Sequence, residues 1–192
     1  MARVRQSFSS QRALIDRWMS QTQEYGRCKA FGRESMHFKG DTLYSNMWNE
    51  PHYPLARYAG QNVVLVNCTK AGMGVHSYHR PAVQHALKKD PLLKIFAVET
   101  DVMSKGPLEV LPCLIERHSR AMQIAKRSRT HLSYRMEVMD ECARQARAYA
   151  DHYGLPECVL LDFDKKGLEQ RLRYRQAKQA AVRARTIQQR GW

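Results

Sequence analysis

The run Val63-Val64-Leu65-Val66, inside the segment Asn62 to Thr69, does most to limit the folds open to this chain. Consecutive apolar, mostly β-branched residues favour extended backbone and leave no face for water. Such a strand belongs inside a sheet covered on both sides. Leu92 to Val98 reads as a second buried strand, ended by the acidic stretch Glu99-Thr100-Asp101. A short hairpin is expected around the turn Lys39-Gly40-Asp41, flanked by Met36, Phe38, Leu43 and Tyr44, and another strand over Tyr53 to Tyr58.

Helical spacing surrounds these strands. Leu14, Ile15, Trp18 and Met19 fall on one face of a helix expected over Ser10 to Glu24, with Ser9 or Ser10 as its cap. Gly72 and Gly74 are expected to break the chain, and a short helix to follow from Ser77 to Lys89. Beyond Gly106-Pro107, Leu108, Leu111, Leu114 or Ile115, His118, Met122 and Ala125 make one apolar stripe. Leu132, Met136, Met139, Ala143, Ala146, Ala150 and Tyr153 make another, ended at Gly154-Leu155-Pro156. Cys158 to Phe163 fits either a late strand or a helix start. The class is therefore α+β, with a small sheet packed with helices in the N-terminal half and a helical, basic C-terminal half. The expected organisation is an α+β core domain over 1–106, a helical hairpin continuing that core over 107–164, and a basic helix over 165–192.

That last helix carries the charge. Lys165, Lys166, Arg171, Arg173, Arg175, Lys178, Arg183, Arg185 and Arg190 stand against a single acid, Glu169, among good helix formers and no proline. Over all 192 residues the formal net charge is +14 and the sequence pI about 9.9. Such an excess favours polyanions, with DNA or RNA first among them. Lys126, Arg127 and Arg129 extend it into the middle helices, as do Arg117, Arg120, Arg135, Arg144 and Arg147. Tyr134, Tyr149, Tyr153 and Tyr174 lie among these cations and suit base stacking, although two of them are expected to face the core. Arginine makes bidentate contacts to phosphate, so its excess over lysine here suits a phosphate backbone.

Other chemistries are weakly supported. The segment Asn67 to His79 puts a turn with Lys70, Ser77 and Arg80 nearby at a helix start, which would favour an anion. The spacing of a Walker loop is missing, and a plain turn capped by Ser77 explains the residues as well. Cys68, His76, His79 and His85 are ligand types for zinc, but only His76 and His79 are close together. Glu99 with Asp101, and Asp162 with Asp164, alternate at the ends of apolar runs, where pairs of acids on a strand hold divalent metals. Solvated strand ends account for them better, with Asp162 and Asp164 sitting favourably at the N-terminus of the last helix. No catalytic residue, metal site or cofactor is assigned. Cys28, Cys68, Cys113, Cys142 and Cys158 are widely spaced and form no C-x-x-C, which fits reduced thiols. No apolar run reaches the roughly 20 residues of a membrane span, and the first residues lack the apolar core of a secretory signal. Membrane partners are not expected.

Leu43-Tyr44-Ser45, Pro54-Leu55-Ala56, Val63 to Asn67 with Thr69-Lys70, and Ser77-Tyr78-His79 leading into Ala82-Val83 resemble an uncharacterised domain family of phage and plasmid proteins. The insertion Asn46 to His52 and the glycines Gly72 and Gly74 depart from that pattern. The resemblance implies a setting, a bacterial mobile element, and brings no activity with it. It also implies a shared surface made of Tyr44, Ser45, Asn67, Ser77 and His79. The expected function is a nucleic-acid-binding accessory protein, in the cytoplasm of a bacterial host or in a virion. The alternatives are an anti-defence inhibitor or virion protein working by contact with a host or phage complex, and a metal-dependent nuclease.

Overall fold

The computed structural model describes residues 7–30, 33–47, 50–128, 130–155 and 165–190. The chain divides into two compact units, Met1–Val110 and Leu111–Trp192. The class is α+β, with the sheet in the first unit and most of the helix in the second.

The first unit is built on a seven-stranded sheet whose spatial order follows the chain. The strands are β1 (Ser7–Phe8), β2 (Tyr25–Ala30), β3 (Arg33–Lys39), β4 (Thr42–Met47), β5 (Glu50–Gly60), β6 (Val63–Asn67) and β7 (Lys94–Val98). From β2 to β6 they form an antiparallel meander, while β1 and β7 each pair in parallel with their neighbour. A parallel pair needs a crossover, and helices supply both. α1 (Gln11–Met19) links β1 to β2, and α2 (Arg80–Leu87) links β6 to β7. As the sequence requires, every residue of β6 is buried.

Both crossover helices cover one face of the sheet. Ser10 caps α1, its hydroxyl accepting from the Ala13 N–H at 3.2 Å. Leu14, Ile15 and Trp18 of α1 and Val83, Ala86 and Leu87 of α2 pack on Met36, Phe38, Leu43, Ala56, Val64 and Val66. Gly26 lies beneath Phe38. A Cβ there would sit 2.5 Å from Phe38 Cε1 and 2.7 Å from Phe8 Cε2, so only glycine lets those rings close over β2.

Three expectations are corrected here. The helix after β6 does not start at a cap on Ser77. Gly74 takes ordinary helical angles (φ −63°, ψ −45°) and does not break the chain, while Gly72 lies in the irregular stretch that separates β6 from the helix. A π-helical turn spans Val75–His79, and Ser77 is an exposed residue within it. Pro81 lacks an N–H and would crowd the carbonyl four residues earlier, and the wider turn sits directly upstream of it. The β7 strand starts at Lys94, leaving Leu92 72% exposed in the preceding turn. Leu108 is 70% exposed in the first turn of its helix and does not join the stripe read from the sequence.

In the second unit α3 (Pro107–Arg127), whose first turn belongs to the first unit, and α4 (Leu132–Tyr153) are joined by residues 128–131. Ala121 and Met122 meet Met139 and Cys142. Gly154 ends α4 at φ +58°, a left-handed position where glycine carries no Cβ penalty. α5 (Lys165–Arg190) enters this core through Leu168, which packs with Ala125, Leu132 and Met136, and Leu172 lies beside them. Cys28, Cys68, Cys113 and Cys142 form no disulfide. Cys158 and the rest of the apolar run Cys158 to Phe163 lie outside the described residues. Among the described residues no helix is long and apolar enough to cross a membrane.

Buried histidines give the fold a pH dependence. His37, His79 and His118 are 7%, 2% and 5% exposed. Burial holds each below the usual histidine value. Arg147 pushes His118 further down against the pull of Asp140, and Glu34 partly offsets the burial of His37. A group whose folded value is depressed contributes stability that is whole above its unfolded value, about 6.5. That contribution is lost as pH falls towards the folded value, because only the unfolded chain takes up the proton. The urea midpoint is therefore expected to drop between pH 7.5 and 5.5, through His37 and His79 in the first unit and His118 in the second. The steepest slope is about 1.4 kcal/mol per pH unit for each histidine. A midpoint that holds constant over this range would contradict the assignment.

Candidate nucleic-acid interface

The tail helix divides into a docked half and a free-standing half. In the docked half Leu168 is buried and Leu172 partly so. Arg171 donates through Nη1 to the Lys126 carbonyl at 2.9 Å and through Nη2 to the Ser128 carbonyl at 3.3 Å. Arg175 Nη1 donates to the same Ser128 carbonyl at 3.3 Å. The last carbonyls of a helix have no partner within it, so these two arginines cap the C-terminus of α3. Both guanidinium groups are thus partly engaged with main chain, Arg171 on the exposed surface and Arg175 half-buried.

Beyond Arg175 every residue from 176 to 187 is exposed. Lys178, Arg183 and Arg185 lie in this stretch, and Arg173 and Lys166 are exposed just before it. No acid occurs between Glu169 and the end of the chain. Lys165 and Arg190 are the terminal residues of α5. Lys126 and Arg127 are exposed in the last turn of α3, where cations also favour the helix dipole. Arg129 lies outside the described residues.

The middle helices bring a second set of cations together. Arg117, Arg120 and Arg135 surround a shallow groove of about 180 Å³ floored by Ala121, Ile124, Val138 and Cys142. Arg117 donates to Gln145 Oε1 at 3.2 Å, and Arg120 pairs with Glu116 at 2.7 Å. Arg144 is held by Glu141 on its own helix. The Arg117–Gln145 bond is partly buried, whereas the two ion pairs are exposed and each contributes little to stability, so a phosphate can displace them. Of the tyrosines proposed to stack on bases, Tyr149 is 1% exposed and packs on Tyr153, with ring centroids 4.9 Å apart. Tyr134 and Tyr174 are 58% and 69% exposed and remain accessible.

Of the six residues expected to form an anion site or a shared family surface (Tyr44, Ser45, Asn67, Lys70, Ser77 and His79), three are interior. Ser45, Asn67 and His79 are 0%, 1% and 2% exposed. Ser45 Oγ and His79 Nδ1 lie 2.6 Å apart, hydrogen-bonded in either histidine tautomer. This pair fastens the π turn to β4. The Asn67 amide donates to the Pro54 carbonyl and to Thr100 Oγ1, both at 2.8 Å, and its oxygen accepts from the Thr69 N–H at 2.9 Å. Arg80 is drawn in as well, donating to Tyr53 Oη and to the Thr69 carbonyl. These polar side chains join the ends of β4, β5 and β6 to the π turn and are buried for that reason. Lys70 and Ser77 are exposed, and Tyr44 lies on the opposite face of β4 from Ser45. Of the zinc-type set, His79 is committed to Ser45 while His76 and His85 are exposed. Glu99 and Asp101 do not share a strand face, because β7 ends at Val98 and a 3-10 turn spans Thr100–Val102. Asp162 and Asp164 lie outside the described residues. Among the described residues no group of three or more His, Cys, Asp or Glu is placed to hold a metal.

A cluster that the sequence did not reveal lies on the sheet face opposite α1 and α2. Register puts Arg27 beside His37 and His37 beside Tyr44. His37 and Tyr44 stack with centroids 4.9 Å apart and 12° between planes, and His52 meets His37 edge-on at 5.3 Å. Tyr25 lies 6.4 Å from His37 on its other side. His37 Nδ1 is 3.0 Å from both Glu34 Oε1 and Asn46 Nδ2. In comparisons with family models, curated proteins and solved structures, nothing matches this chain.

Proposed function

We propose that this protein is a nucleic-acid-binding accessory protein that grips the phosphate backbone through the outer half of α5. The observation that carries the reading is the stretch 176–187, exposed throughout, with Lys178, Arg183 and Arg185 and no acid. A helix without an apolar stripe gains little by packing on its own chain. Its cations instead suit a polyanion, whose condensed counterions are released on binding. Contacts of this kind act on DNA or RNA without reading base sequence. The resemblance of Leu43 to Val83 to phage and plasmid proteins adds a bacterial mobile element as the setting.

A second reading rests on apolar surface. Tyr174, Val182 and Ile187 are 69%, 56% and 72% exposed on the same helix. A phosphate backbone does not cover such groups, whereas a protein partner does, as an anti-defence inhibitor or virion protein would require. A chain ending at Arg175 separates the readings, because it keeps Leu168, Leu172, Arg171 and Arg175 in place. On the first reading it loses most of its affinity for a fluorescent duplex in anisotropy titrations. Binding equal to that of the full chain would remove α5 as the nucleic-acid arm.

A further inference from the structure

We infer that the open face of β4 and β5, with the turn that follows β7, carries a pocket for one unpaired nucleobase, so that the protein holds single strands by stacking as well as by charge. The inference rests on the nucleic-acid reading above and names the form of nucleic acid. The pocket is a cavity of about 430 Å³ within the first unit, a size ordinary for small planar ligands. Its lining includes the flat side chains Tyr44, His52 and Pro54 and the hydroxyls of Thr42, Thr100 and Ser104. Arg57 closes one side and is pinned there, donating to Asp41 Oδ2 at 2.8 Å and to the Met103 carbonyl at 2.7 Å.

The rings are held in place before any ligand arrives. Tyr44 stacks on His37, which is itself buried and held by Glu34 and Asn46. His52 sits at φ +58°, a left-handed conformation that costs a residue with a Cβ. Asn46 fixes it by accepting the His52 N–H at 2.9 Å. Strain at a side chain that lines a cavity is accounted for if the ring must point there. A planar heteroaromatic with donors and acceptors on its edge matches flat walls and a hydroxyl rim. An unstacked base is such a group, and stacking accepts any base. The same sheet face supplies exposed cations for the flanking phosphates. Lys39 pairs in register with Thr42, and Arg27 with His37. In a duplex the bases are stacked on each other, so this pocket serves only unpaired strands.

The test uses the full chain and an oligothymidylate carrying one 2-aminopurine, beside a duplex of the same length. Binding is expected to quench the 2-aminopurine. Tyr44→Ala should abolish the quenching and weaken the single strand roughly 5- to 150-fold, the range for loss of one stacked base. Tyr44→Phe should retain both. His52→Gly removes the second ring and relieves the left-handed backbone, so it gives a folded variant that should also lose single-strand affinity. Duplex affinity should be unchanged in all three. If single strand and duplex weaken equally, or if neither Tyr44→Ala nor His52→Gly has an effect while the wild type binds both, the pocket is overturned and the α5 reading stands. If the wild type binds neither probe, the nucleic-acid reading fails and this inference with it.

Discussion

Replacing Trp18 by alanine is expected to destabilise the first unit by about 3–5 kcal/mol. Trp18 is 0% exposed and is the largest fully buried side chain among the described residues. It anchors α1 against Met36, Phe38 and Leu43 on the covered face of the sheet. A cavity of indole size is one that surrounding β-structure cannot collapse to fill. The loss is also polar. Trp18 Nε1–H donates to the Asp41 carbonyl at 3.0 Å, tying α1 to the β3–β4 turn. Trp18→Phe separates the two contributions, keeping most of the volume while removing one of the two donors to that carbonyl, which still accepts from the Tyr58 N–H at 2.8 Å, at a cost of about 0.5–1.5 kcal/mol. Against a total stability of roughly 5–15 kcal/mol, the alanine variant should be largely unfolded in mild urea. A urea midpoint within error of the wild type would mean that α1 is not docked as described.

Removing four cations from α5 should change binding more than any other surface substitution. The variant carries alanine in place of Arg173, Lys178, Arg183 and Arg185. Alanine is the strongest helix former, so the helix is kept while its charge is removed. None of the four is among the groups that cap α3, which are Arg171 and Arg175. If each of the four neutralises one phosphate of a duplex, the salt slope should shallow by roughly 0.9 per contact. Between 50 and 200 mM salt the wild type should then lose roughly 100-fold more affinity than the variant. Circular dichroism of the variant should show undiminished helix, which separates lost charge from lost structure.

The elements that were legible in the sequence are those defined by local pattern. β6 follows from an unbroken apolar run, α1 from Leu14, Ile15 and Trp18 behind a serine cap, and α5 from its composition. The start of the helix after β6 was hidden, because a π turn upstream of Pro81 obeys neither helical nor extended spacing. The roles of Arg171 and Arg175 were hidden for another reason. Only the docking of Leu168 brings their side chains to the end of α3, and no local signal distinguishes them from Arg173 beside them. Ser45, Asn67 and His79 were expected at a surface only because the resemblance to phage and plasmid proteins implied a shared one. Here they satisfy one another and the main chain inside the fold.

The ring cluster shows the same limit most clearly. Tyr25, Glu34, His37, Tyr44, Asn46 and His52 lie on four strands and share no spacing in the chain. Strand register gathers them, and two irregularities adjust it. A register shift at Cys28/Lys29 pairs Glu34 with Lys29, and another at Leu43/Tyr44 sets Tyr44 opposite Pro54. Alternation predicts that one face of a half-covered sheet is polar. It does not predict which polar residues become neighbours across the strands.

The most direct test of the central claim is the salt dependence of duplex binding, measured side by side for the full chain and the four-alanine variant from 50 to 200 mM salt. The account predicts a steep negative slope of log K against log salt for the full chain, shallower by roughly 3.6 in the variant. Equal slopes, or no measurable duplex binding by the full chain at 50 mM salt, would contradict a phosphate grip by the outer half of α5.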